Sequence, residues 1–316
     1  KWKYKAETQL KSLSEISSIA AGLAEKYGPY KVSVAAGEDT MGLGGLALGK
    51  ERGLIEPVLI GHKRHIRESF YRLGISPKGW NIIPEKDYNK ATQIAAIQVL
   101  NKESDILMRG KLLARQFIKT LLDPQLKIKK SGALWTNIVV TKISKLDRLL
   151  LLTDCAIIVT ADLPKRLAHI ETVVGFADFL GIKNPKIALL AAVESVSPVM
   201  PVSLEEAVIA KMCERGQFPK GVQVDGPLSL DLAINEESVK KKKIVSNVAG
   251  KADILVVNNL GIGNLLFKSL ITLCGGNSAS IIVGLPFPVV LTSRSESPEN
   301  INYSLALSVL MAGPKE

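Results

Sequence analysis

Aromatic residues are scarce: tryptophan, tyrosine and phenylalanine together make up 5% of the 316 residues. Hydrophobic residues nonetheless reach 47%, so the interior is aliphatic, as in parallel sheets covered by helices. Cysteine is equally sparse. Cys155, Cys213 and Cys274 are scattered and odd in number, which argues against a disulfide framework and against a metal knuckle. His62 and His65 are spaced for one helix face, but Lys63 and Arg64 between them disfavour a cation and a solvated helix is expected. No stretch is apolar and uncharged enough to span a bilayer, and the start, Lys1-Trp-Lys-Tyr-Lys5, lacks a secretory apolar core. The expectation is a soluble, cytoplasmic protein with no membrane association and no metal.

Acidic residues are outnumbered, 30 against 41 basic ones, for a formal net charge of +11. That invites nucleic acid as a partner. Against it, the basic residues are dispersed and have little aromatic interleaving. The one dense run, Lys240-Lys-Lys-Lys243, follows Asn235-Glu-Glu237-Ser and reads as the solvated C-terminal end of a helix. No nucleic-acid partner is expected. A basic surface equally suits a small polyanion.

Strand and helix patterns alternate along the chain. Strands are expected over 31–35, 57–60, 80–84, 106–108, 138–140, 149–152, 187–191, 221–224, 254–257 and 280–283. Helices are expected over 10–27, 42–52, 65–73, 88–102, 164–179, 204–215, 236–242, 264–273 and 302–311, with another ending at Leu122. This alternation predicts an α/β protein with mostly parallel sheets and right-handed crossovers. The basic connector at 127–132 breaks the pattern. The reading is two α/β/α lobes, the first formed by 1–134 plus 293–316 and the second by 135–292, with a ligand cleft between them.

Several strand ends carry polar groups, and in open α/β sheets ligands gather at the carboxyl ends of strands. Val289-Val-Leu-Thr-Ser293-Arg294 ends an apolar strand in a hydroxyl and a guanidinium, a donor fork suited to phosphate or a developing oxyanion. The alternative is an Arg that pairs a surface carboxylate. Ile106-Leu-Met108 runs into Arg109-Gly110. Gly261-Ile-Gly263-Asn264 follows a strand and opens a helix, where backbone N–H groups could hold a phosphate. Gly42-Leu-Gly44-Gly45 lacks the spacing of a dinucleotide fingerprint.

Longer segments can be compared as units. They are Leu152-Thr-Asp154, Gly181-Ile-Lys-Asn-Pro185-Lys-Ile-Ala-Leu-Leu, Val224-Asp225-Gly-Pro-Leu-Ser-Leu-Asp231, Ala249-Gly-Lys-Ala-Asp253, Gly263-Asn264-Leu-Leu-Phe-Lys268 and Pro288-Val-Val-Leu-Thr-Ser293-Arg294. In order and spacing, 149–305 resembles the phosphate acetyltransferase and phosphate butyryltransferase family, the butyryl branch most closely. Val34-Ala-Ala-Gly-Glu-Asp39 and Asp105-Ile-Leu-Met-Arg109-Gly110 extend the match more loosely into the first half.

The resemblance implies transfer of a short acyl group between coenzyme A and inorganic phosphate, with acyl-CoA and acyl phosphate as the other ligands. It implies a homodimer or larger homo-oligomer, with coenzyme A as substrate and no permanently bound cofactor. Ser293 would contact the thiol or carbonyl end and Arg294 the phosphate. Arg109, Gly110, Thr153, Asp225, Gly263, Asn264 and Lys268 would line the substrate site. Glu299, with Glu296 nearby, is the candidate proton acceptor, because Asn300 stands where the acetyl branch carries an aspartate. Departures from the pattern cluster at strand ends. Asn259 and Gly261 replace an Asp and a Glu, Thr136-Asn137 a Ser-His pair, Ile158 and Ala161 an Asn and a Pro, and Ala114 a threonine. They open a second reading, a catalytically impaired homologue that binds coenzyme A or acyl phosphate as a sensor or partner subunit.

Overall fold

The computed structural model describes residues 2, 4–128, 134–293 and 295–315. The chain forms two compact units. In chain order the strands of the first part are β1 (Tyr30–Ala35), β2 (Ile55–Gly61), β3 (Asn81–Pro84) and β4 (Ile106–Arg109). They alternate with α1 (Leu13–Tyr27), α2 (Thr40–Glu51), α3 (Lys63–Leu73), α4 (Tyr88–Leu100) and α5 (Ala114–Leu121). There follow β5 (Thr136–Lys142), β6 (Leu150–Thr153), α6 (Leu163–Phe179), β7 (Lys186–Leu190), α7 (Pro201–Glu214), β8 (Gln223–Leu228), α8 (Leu230–Ile234) and α9 (Glu236–Lys242). The chain ends with β9 (Ile254–Val256), α10 (Leu260–Thr272), β10 (Asn277–Val283), β11 (Val289–Val290) and α11 (Pro298–Ala312).

The first unit comprises Lys1–Tyr4, Leu13–Trp135 and Ser278–Glu316. Its strands run in the order β3-β2-β1-β4-β11-β10. The chain moves outward from β1 to β2 and β3, then returns to place β4 on the other side of β1. That reversal makes a switch point whose carboxyl end is the expected ligand side. Every residue of β4 is buried, as are Val289 and Val290 of β11, the aliphatic filling anticipated from composition. α1 and α2 both pack against α11, while α4 packs on β1, β2 and β4 and against α5. In α11 the residues from Asn300 to Met311 are buried apart from Tyr303, so this helix is a core element of the unit.

The second unit comprises Lys5–Ser12 and Thr136–Asn277, with strands in the order β5-β6-β9-β7-β8. Strands β6, β9, β7 and β8 are mutually parallel. A cluster including Leu150, Leu152, Ala188, Leu255 and Phe267 fills its interior.

The α/β class with mostly parallel strands is as expected, with two differences in detail. The pairs β5/β6 and β10/β11 are antiparallel, because their links contain no helix and a parallel crossover needs a dozen or more residues. The second difference is where the chain changes unit. Ser278 onward belongs with the first unit, since β11 pairs with β4 and β10 with β11. Conversely, Ala6 and Leu10 donate their N–H groups to the carbonyls of Phe179 and Leu180 at the end of α6, which ties 5–12 to the second unit. Among the described residues no helix is long and apolar enough to cross a membrane.

Candidate active site

In the first unit, polar groups gather where β1, β4 and β11 end. Arg109 closes β4 and is 6% exposed. Its Nη1 donates to the Leu112 carbonyl at 2.6 Å and its Nη2 to the Thr292 carbonyl. The guanidinium thereby clamps the end of β11 to the turn after β4. Gly110 follows, donating its N–H to the Ala35 carbonyl at 2.8 Å. A Cβ here would lie 2.0 Å from the Ala36 carbonyl oxygen, so only glycine lets the two strand ends approach this closely.

Ser293 comes directly after this clamp. Its N–H donates to Glu296 Oε2 at 2.6 Å, the Glu296 N–H returns to the Ser293 carbonyl at 3.1 Å, and the Ser293 and Ser295 hydroxyls lie 3.0 Å apart. Glu296 is 2% exposed, and its Oε1 accepts from the Ser278 hydroxyl at 3.1 Å. Arg294 lies outside the described residues. Glu299 sits in the first turn of α11, where both its oxygens accept from the Arg52 fork at 3.1 Å. Asn300 is buried and accepts the Ser278 N–H.

In the second unit, β6 ends in a buried polar network. Thr153 Oγ1 donates to the Asn137 carbonyl and lies 2.8 Å from His169 Nε2, while Thr136 Oγ1 lies 2.9 Å from the same nitrogen. Asp154 Oδ2 accepts from Thr136 Oγ1 and from the Asn137 N–H, both at 2.8 Å, and its Oδ1 accepts the N–H groups of Ala156 and Ile157. Burial pushes the His169 pKa down to about 4 against the pull of Asp154, so the imidazole is neutral at physiological pH. Burial also raises the Cys155 thiol well above its ordinary value, which leaves it a poor nucleophile.

Gly263 and Asn264 lie one turn inside α10. The helix is capped by Asn259, whose side chain accepts the Ile262 N–H at 3.0 Å. A Cβ on Gly263 would meet the Asp154 carbonyl oxygen at 2.2 Å, and Asn264 Nδ2 donates to the Cys155 carbonyl at 3.3 Å. This Gly-Asn pair therefore seats α10 on the turn after β6. Lys268 follows Asn264 by one turn and is exposed. Asp225 stands on β8, separated from β6 by β9 and β7, and its Oδ1 accepts the Gly226 N–H.

The structure thus brings Arg109, Gly110 and Ser293 together in one unit, and Thr153, Gly263 and Asn264 in the other. Asp225 joins neither group. Sequence reasoning gave no role to His169 or to the buried pair Arg166–Glu206, in which Arg166 Nη2 meets Glu206 Oε1 at 3.1 Å. Their signal is a charged or imidazole side chain on the apolar stripe of a helix: Arg166 and His169 lie on α6 beside Ile170 and Val173. His62 and His65 do flank the first turn of α3, but half-buried, with rings stacked 4.1 Å apart.

The chain has extensive relatives. Residues 85–309 match the family described as phosphate acetyl/butaryl transferase. The phosphate butyryltransferase of Clostridium acetobutylicum is 35% identical over 285 residues, covering 90% of this chain and 94% of that one. The phosphate acetyltransferase of Thermotoga maritima is 37% identical, covering 89% and 95%. A crystal structure of a branched-chain phosphotransacylase from Enterococcus faecalis superposes with a TM-score of 0.77 at 28% identity, covering 90% of this chain and all of that one. With a family match over most of its length and relatives above 30% identity aligned nearly end to end, this chain belongs to the phosphate acetyl/butaryl transferase family.

Proposed function

We propose that the protein is a phosphate acyltransferase that moves a short acyl group, butyryl or similar, between coenzyme A and inorganic phosphate. The observation that carries this reading is the near end-to-end likeness to phosphate butyryl- and acetyltransferases. The anchored Ser293 turn at the end of β11 supports it. Nothing among the relatives favours an impaired sensor.

In the direction of acyl-CoA synthesis, a thiolate attacks the acyl phosphate carbonyl, and phosphate leaves with the electron pair of the broken C–O bond. A free thiol has a pKa of about 8.5, so its proton must be taken up. The tetrahedral oxyanion and the departing phosphate need preorganised donors. Ser293 would supply a hydroxyl at the carbonyl or thiol end and Arg294 the phosphate fork. Arg109 acts by position, since its clamp on the Thr292 carbonyl sets where Ser293 begins. Glu296 turns both oxygens inward to Ser293 and Ser278.

Glu299 is proposed as the proton acceptor, because its side chain is 39% exposed and can exchange protons with solvent. Its half-exposed pair with Arg52 is worth no more than about 1 kcal/mol, so the pair does not lock the carboxylate in place. Gly110 in the first unit and Thr153, Gly263, Asn264 and Lys268 in the second are proposed as substrate contacts, and Asp225, apart from both groups, is proposed on the resemblance alone. Homo-oligomeric assembly and a cytoplasmic place of action belong to the same proposal. The test is phosphate-dependent thiol release from acetyl-, propionyl- and butyryl-CoA by the purified protein. Release that ignores phosphate would contradict the reading.

A further inference from the structure

The second unit holds a cavity of about 500 Å³ at the amino ends of its parallel strands. Lys186 opens β7, Arg148 shortly precedes β6, and Lys251 and Asp253 lead into β9. Thr153, Gly263 and Asn264 belong to the opposite edge, where β6 ends and α10 begins. The four residues of β6 separate the two edges by about 13 Å, so this cavity is not part of the proposed transfer site.

Five cations line it, Lys11, Arg148, Lys183, Lys186 and Lys251, against two carboxylates, Asp147 and Asp253. Asp253 is already engaged: its Oδ2 accepts the Lys186 N–H at 3.0 Å, and its Oδ1 lies 3.9 Å from Arg148 Nε. Arg148 is held in place, because its Nε and Nη2 donate to the Ala252 carbonyl at 3.1 and 3.0 Å. Lys186 and Lys251 meet no carboxylate within ion-pair distance among the described residues. Lys183 reaches Asp178 at 3.7 Å, but both side chains are about half exposed and such a pair is worth at most about 1 kcal/mol.

The strap at 5–12 completes the wall. A Cβ on Gly181 would lie 2.3 Å from the Thr8 carbonyl oxygen. That close approach, with the hydrogen bonds of Ala6 and Leu10 to the end of α6, carries Gln9 and Lys11 to the cavity. Among the described residues no aromatic side chain lines it, so a base or ring finds no stacking platform. Lysine ammoniums are mobile point charges, suited to the charge of a ligand more than to one fixed anion geometry.

We propose that this cavity binds a compact polyanion, a small metabolite whose two or three phosphate or carboxylate groups carry about three negative charges. Its anionic groups neutralise cations brought together from the strap, the β5–β6 link, the α6–β7 turn and the approach to β9. The site stands independently of the acyl-transfer reading.

Calorimetric titration at pH 7.5 and constant ionic strength compares citrate and pyrophosphate with acetate. At least one of the two polyanions should bind about tenfold or more tightly than acetate, and the one that does identifies carboxylate or phosphate as the preferred group. Lys186→Gln and Lys251→Gln should each weaken that binding at least about threefold. Lys251 is exposed, which keeps the test open if Lys186→Gln does not fold. Lys240→Gln, at an exposed position on α9 and outside the cavity, should leave the affinity unchanged. Polyanions that bind no better than acetate, or that lose no more affinity in the cavity variants than in Lys240→Gln, would overturn the proposal. Displacement of the bound polyanion by saturating coenzyme A would also overturn it, by placing that anion in the transfer site. Thiol release is read separately, so a protein that binds a polyanion here yet transfers no acyl group would refute only the proposed function.

Discussion

The carboxylate of Glu296 holds Ser293 in place: its Oε2 accepts the Ser293 N–H at 2.6 Å while its Oε1 takes the Ser278 hydroxyl at 3.1 Å. This bond fixes where the proposed donor hydroxyl begins, and a small misplacement at such a point costs much in rate. Glu296→Ala removes both anchors and should lower turnover roughly 10- to 100-fold. Glu296→Gln can keep one oxygen on the Ser293 N–H and donate to Ser278, so it should stay within about threefold of the wild type. A glutamine variant as slow as the alanine variant would mean that Glu296 accepts a proton rather than positioning Ser293.

Glu299 is expected to behave in the opposite way. Glu299→Gln keeps size and polarity but cannot take up a proton, so kcat should fall by at least about 100-fold, within the usual range for a general base. Thermal stability should barely move, because the Arg52 pair is half-exposed and worth no more than about 1 kcal/mol. Arg52→Ala should therefore leave most of the turnover intact. Normal kcat in Glu299→Gln, measured with saturating butyryl-CoA and phosphate, would remove Glu299 from the chemistry.

His169 makes stability depend on pH. Burial holds its native pKa near 4, whereas the unfolded imidazole takes a proton near its ordinary 6.5. Between these values the unfolded state binds more protons. The stabilisation is full above about pH 6.5 and is lost as pH falls toward 4. The loss should be on the order of 2–3 kcal/mol. Urea unfolding at pH 7.5, 5.5 and 4 should show that decline, and His169→Gln should flatten it relative to the wild type. Parallel slopes for the two proteins would place the acid sensitivity in carboxylates instead.

The resemblance implies carboxylates where this chain carries Asn259 and Gly261. Both lie at the start of α10. Gly261 is outside the positive-φ region, and a Cβ there would approach only Asn259 Oδ1, at 3.2 Å. The double variant Asn259→Asp, Gly261→Glu should fold. Asp retains the cap, and both new charges favour the helix N-terminus by about 0.3–1 kcal/mol each. Thiol release should rise if the departures weaken the site. A stable double variant with slower release would indicate that the native residues are the better arrangement for this chain's substrate.

The helical pattern was largely readable from residue order, because caps and apolar stripes are local signals. The helix expected over 236–242 coincides with α9 to the residue, with its acidic start and lysine end. α8, at Leu230–Ile234, is too short to show a period. The antiparallel β5/β6 and β10/β11 pairs are not legible individually, because alternation suggests mostly parallel pairing and only the missing helix betrays the exceptions. The site was less readable. Gly263 suggests a phosphate turn, but its missing side chain makes room for the Asp154 carbonyl more than a hundred positions earlier in the chain. His169 finds its partners, Thr136 and Thr153, on two strands of another part of the chain. Such pairings are set by topology, and neither periodicity nor spacing reports them.

The most direct measurement is the balance of products when the protein meets butyryl-CoA and inorganic phosphate. Free thiol and hydroxylamine-trapped acyl phosphate are counted in the same reaction. Acyl transfer predicts one acyl phosphate for each thiol released, and no release when phosphate is withheld. Thiol without acyl phosphate would make the protein a thioester hydrolase, and no thiol at all would leave a binding protein on an acyltransferase fold. Either result contradicts the account.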